Sequence, residues 1–87
     1  MALDPAAKPA YDALVEEHNG LLKEVGRSSL TRAQLADVRT QLSYAARGFR
    51  ITSLMVPREG EKGENFWRGL ASIRKNLAAA RAGLEER

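Results

Sequence analysis

Leu30 to Pro57, LTRAQLADVRTQLSYAARGFRITSLMVP, decides the fold. Thr31 is a good N-cap, and Gln34 three residues on completes a capping box. The Thr hydroxyl can accept from the third backbone N–H while the Gln side chain reaches back to the cap's own N–H. Leu30 and Leu35 bracket the cap as a hydrophobic staple. Leu35, Val38, Leu42, Ala45, Phe49 and Val56 then recur at helical spacing. Pro57 ends the run, because proline disfavours the α region in the residue before it. The spacing predicts a helix over 31–56, roughly 38 Å long at 1.5 Å per residue.

Upstream, Tyr11, Leu14, Val15, His18, Leu21, Leu22 and Val25 form a broad helical stripe. Pro9 suits a first-turn position, where its missing N–H would be unpaired anyway. Asn19-Gly20 could form a turn. The stripe keeps its phase across that pair, so a continuous helix over about 9–25 is expected, at a cost of about 1 kcal/mol for Gly. Gly26 is expected to end it. Downstream, Pro57 to Glu64 (PREGEKGE) is polar and charged and reads as a loop. Phe66, Leu70, Ile73, Leu77, Ala80 and Leu84 alternate four and three, predicting a third helix over about 65–85.

Short connections favour antiparallel neighbours. The expected architecture is all-α, a three-helix up-down-up bundle with a long central helix. Residues 1–8 form a flexible N-terminal segment and 9–87 a single helical domain. Tyr11, Phe49, Met55, Phe66 and Trp67 would gather at one end, and Leu21, Val25, Leu35, Leu77 and Leu84 at the other.

The chain has 87 residues, no cysteine, one histidine and 44% apolar side chains. A chain this short buries only about 60–65% of its unfolded surface. That provides one modest core and little room for a deep cofactor cleft. Without cysteine there is no disulfide, thiolate metal site or cysteine nucleophile. With no apolar signal region and no run of about 18 apolar residues, the expected setting is cytoplasmic, with no membrane contact.

His18 is the sole histidine and lies on the core-facing stripe, which suits a half-buried structural role. It lacks a second His or Cys to form a metal site. Glu16/Glu17 and Glu85/Glu86 are adjacent pairs, so each pair points to different helix faces and cannot converge as acid and base. No phosphate-cradling glycine motif or nucleophile elbow is present. The expectation is a protein that is not an enzyme, with no catalytic residue, no metal and no cofactor.

The net charge of +3 conceals a split. Residues 1–26 carry two basic and five acidic side chains, residues 27–58 six arginines against Asp37, and residues 59–87 a near balance. Arg32, Arg39, Arg47 and Arg50 could follow a phosphate backbone. They could equally pair with the acidic first helix. Leu30 to Asp37 (LTRAQLAD) resembles the first helix of a helix-turn-helix over eight residues, but Val38 to Ala46 continues as helix where the turn should follow.

The central helix also holds more apolar surface than one stripe. Tyr44, Gly48, Ile51 and Met55, with Leu54, lie on a face rotated from Leu42, Ala45 and Phe49. This second face is either a widened core or an exposed interaction patch. The β-branched run Phe49 to Val56 could also unwind into extended chain. Trp67, one step off the core stripe, is either core or an interface anchor. The function expected is binding of another protein, an acidic one or a second copy as a homodimer. Tyr44, Ile51, Leu54 and Met55 supply the patch, Arg47, Arg50 and Arg58 its rim, and Trp67 an anchor. The alternative is nucleic-acid binding by the arginines of the central helix.

Overall fold

The structure, a computed structural model, describes residues 4–27 and 29–85. It contains α1 (Ala7–Arg27), α2 (Arg32–Thr52), a single 3-10 turn (Ser53–Met55) and α3 (Glu64–Glu85). The fold is an all-α helical bundle. Tyr11 and His18 of α1 face Phe49 and Leu42 of α2 in antiparallel order. Gly48 and Gly83 face Ile73 and Val38 across the antiparallel α2/α3 pair. The run is therefore up-down-up, and the molecule is elongated, 48 × 17 × 17 Å.

The capping box at Thr31 is formed in both directions. Gln34 N donates to Thr31 Oγ1 and Thr31 N donates to Gln34 Oε1, each at 3.2 Å. α1 passes Asn19-Gly20 unbroken, since a Cβ at Gly20 would meet nothing and the helix needs no special backbone there. Gly26 does not end α1, which runs to Arg27. Gly26 does not adopt the positive φ of a left-handed cap, which is confined to Gly60 and Gly63. Ser28 of the expected connection lies outside the described residues.

The other boundaries shift for local reasons. α1 starts at Ala7, inside the segment assigned to residues 1–8. Asp4 prepares that start: its side chain accepts from Ala6 N at 2.9 Å and its carbonyl from Ala7 N at 3.0 Å. Pro9 still falls in the first turn. Residues 1–3 lie outside the described residues. The α-helix expected to reach Val56 stops at Thr52 and tightens into the 3-10 turn. Pro57 holds Val56 at ψ 121°, so the last turn cannot close as α. The central helical run is the longest only with this turn included. Phe49 to Val56 does not unwind into extended chain.

The core follows the stripes. All six expected α3 positions, Phe66, Leu70, Ile73, Leu77, Ala80 and Leu84, are buried. α2 buries Val38, Leu42, Ala45 and Phe49, and also Thr52. α1 buries Ala7, Leu14 and Leu21, seven apart, with Tyr11 and Val15 packed beside them. Leu22, expected on that stripe, stays 47% exposed. Each large side chain fully buried here contributes roughly 1.5–3 kcal/mol.

α2 and α3 form the most extensive pairing because small residues let their backbones approach. A Cβ at Gly48 would stand 2.7 Å from Ile73 Cγ1, one at Gly83 2.8 Å from Val38 Cγ2, and one at Gly69 would strike the Thr52 hydroxyl. The loop after α2 is tied to the N-terminus. Pro57 is buried and its carbonyl accepts from Asp4 N at 3.0 Å. Gly63, at φ 61°, closes over the Pro57 ring and accepts from Trp67 N through its carbonyl.

Candidate partner-binding surface

α2 presents its core stripe inward and a second apolar stripe to solvent. Leu54 is 85% exposed, Ile51 53%, Tyr44 50% and Met55 42%. Tyr44 and Ile51 are seven apart and share one line along the helix axis, and Met55 follows in the 3-10 turn. Leu54 stands on the adjacent line with Arg47, seven residues before it. Among the described residues, these and Leu22 are the exposed large hydrophobic side chains. Gly48, expected on the same face, instead turns toward Ile73 and serves the α2/α3 contact.

Arg47, Arg50 and Arg58 are exposed around this stripe. The ion pairs among the described residues are Lys8–Asp12 at 3.4 Å within α1 and Arg81–Glu17 at 3.7 Å between α3 and α1. Neither involves an α2 arginine. Among the described residues, α1 therefore pairs once with α3, and no carboxylate forms an ion pair with an α2 arginine. Arg58 is positioned through its backbone, whose N–H donates to Glu61 Oε2 at 3.3 Å.

Trp67 is half-buried in the first turn of α3 and packs against the core. Its ring meets Phe66 edge-on, centroids 5.0 Å apart at 82°. It belongs to a different helix from the α2 stripe. Of the aromatic end expected from the sequence, Tyr11 meets Phe49 edge-on at 5.5 Å as a pair separate from Phe66 and Trp67, and Met55 is exposed. His18 also meets the Phe49 ring at 5.5 Å, and its Nε2 lies 3.3 Å from the Leu42 carbonyl oxygen. Among the described residues no three His, Cys, Asp or Glu side chains gather as a metal site. No helix among them is long and apolar enough to cross a membrane.

Two open depressions flank α2. One, of about 370 Å³, lies against α1, where Leu22, Val25 and Leu42 meet Arg39. The other, of about 390 Å³, lies between Asp37 and Gln41 of α2 and Ala79 and Gly83 of α3. Sequence reasoning missed the second, because alanine and glycine carry no chemical signal of their own. The cue is the small-residue run Ala78, Ala79, Ala80, Ala82 and Gly83 of α3.

The class defined so far is a three-helix bundle with one helix apolar on two sides. Comparison with protein-family models, with curated proteins and with solved structures finds no match to this chain.

Proposed function

We propose that this is a small non-catalytic protein, an adaptor, inhibitor or assembly factor, that binds another protein through the exposed face of α2. The observation that carries the reading is the line Tyr44–Ile51, followed by Met55 in the 3-10 turn and with Leu54 beside it, left in water on a helix whose opposite face is core. Surface apolar residues scattered singly need no explanation, but a contiguous patch rimmed by polar groups marks an interaction site. Arg47, Arg50 and Arg58 are such a rim, and Met and Tyr suit an adaptable contact. Trp67 contributes its exposed edge at most, since most of its packing is spent on the core. A second copy or a different chain could occupy the face. The cysteine-free composition accords with a cytoplasmic setting.

Affinity capture from the native host tests this reading. The wild type should retain a protein that Ile51→Asp and Met55→Asp lose and Arg50→Glu weakens, with all variants folded by circular dichroism. If the wild type retains nothing that the variants lose, the reading fails. Light scattering at micromolar concentration separates the occupants: a mass of two chains, reduced to one by Ile51→Asp, identifies a homodimer.

One observation favours a second reading, nucleic-acid binding. Arg32, Arg39 and Arg50 are seven and eleven residues apart, share one line on α2, are exposed and have no ion pair among the described residues. Duplex DNA binding at about 50 mM salt that weakens steeply as salt rises would support it. No binding under that condition removes it.

A further inference from the structure

The α2/α3 pair is covered on one side only. The Glu17–Arg81 ion pair and the His18–Leu42 contact place α1 on that side. On the other, Asp37 and Gln41 of α2 stand across an open groove from Ala79 and Gly83 of α3. Residues seven apart on a helix share a line. Tyr44 and Ile51 therefore lie on the same line of α2 as Asp37, and Ser72 on the same line of α3 as Ala79, beyond the residues that line the groove itself.

We infer that this groove seats a fourth helix, acidic and amphipathic, supplied by a different protein. The inference rests on the protein-binding reading above and adds the occupant's shape and charge. The shape argument is geometric. Within α2 the wall from Asp37 to Ile51 is about 21 Å long, nearly four helical turns. Exposed apolar side chains at i, i+7 and i+11 match the stripe of a helix laid alongside. Ala79, Gly83 and Ser72 keep the α3 wall low, so a helix backbone can come close. A helix there completes a four-helix bundle.

The charge argument selects the occupant. Arg47 flanks the α2 wall and Arg58 follows its end, while Arg68 and Lys75 stand one turn before Ser72 and Ala79. All four are exposed, and none is in an ion pair among the described residues. Asp37 lines the groove itself and Glu64 stands one turn before Arg68, so the four cations stand against these two carboxylates. A second copy packed α2 against α2 about the middle of this wall would bring Arg47 close to the partner's Arg47, where like charges oppose association. Glu or Asp beside the apolar stripe of an incoming helix would meet them with opposite sign.

The test is an amide NMR titration of the full chain with two designed peptides about five turns long. Both carry leucine at alternating third and fourth positions; one carries glutamate elsewhere, the other lysine. The acidic peptide should shift amides from Asp37 to Met55 and from Ser72 to Gly83, and bind at least about tenfold tighter than the basic one. Arg47→Glu with Arg68→Glu should abolish that preference while leaving the unfolding midpoint in place. Equal binding of the two peptides, no shifts with the acidic one, or shifts confined to the α1/α2 depression would overturn the inference. A two-chain mass lost in Ile51→Asp would also overturn it, yet would sustain protein binding by this face. The protein-binding reading fails separately, when capture finds nothing dependent on Ile51.

Discussion

Gly69 and Gly20 show how the same substitution takes opposite signs in this molecule. Both sit inside helices, where Gly→Ala ordinarily stabilises by about 0.5–1 kcal/mol. At Gly20 nothing lies near the added methyl group. Gly20→Ala should therefore raise stability by about that amount in urea unfolding. At Gly69 the methyl group would strike Thr52, which is 2% exposed and β-branched. A buried β-branched side chain has little freedom to turn away, and overpacking costs about 1–3 kcal/mol. Gly69→Ala should lower stability on balance, by about 1 kcal/mol or more in the same assay. A stabilised Gly69→Ala would mean that α2 and α3 are not in close contact there.

At the scale of elements, caps and breakers decide the boundaries. The Thr31–Gln34 box opens α2, and Thr31→Ala should cost about 1 kcal/mol, read as a lower thermal midpoint. Much of the fold was legible because its signals are local and periodic. The capping box formed as read, and the α3 stripe buried all six expected positions. Three positions depart from what type or spacing alone suggests. Gly26 continues α1, because a glycine stops a helix only when the chain turns left-handed there. Thr52, polar by type, is buried because Gly69 opposite leaves a space for it. Leu22 fits the α1 stripe by spacing but stays exposed, because full burial on α1 is confined to the line Ala7–Leu14–Leu21. The candidate site was legible in part. The two-sided character of α2 could be read from Tyr44, Ile51 and Met55. Whether the second side meets a neighbour depends on where α1 sits, and periodicity within α2 carries no information on that.

For the whole molecule, the packing is uneven. α3 buries six residues along its length and α1 three, and the α2/α3 seam is the closest. Local opening follows contact with the core. In native-state hydrogen exchange, the amides of α1 should exchange faster than those of α3 around Ile73. Uniform protection across the three helices would contradict this asymmetry. An elongated bundle with a strong helix pair and one covering helix has most of its exposed large apolar side chains, among the described residues, on α2 and the 3-10 turn that follows it. The account as a whole depends on that surface being outside the core. The most direct measurement is urea unfolding of Ile51→Asp beside Ile73→Ala. Ile51→Asp should stay within about 0.5 kcal/mol of the wild type, as a surface change does, while Ile73→Ala should lose about 2–5 kcal/mol. A loss at Ile51 as large as that at Ile73 would place the second face of α2 in the core and contradict the account.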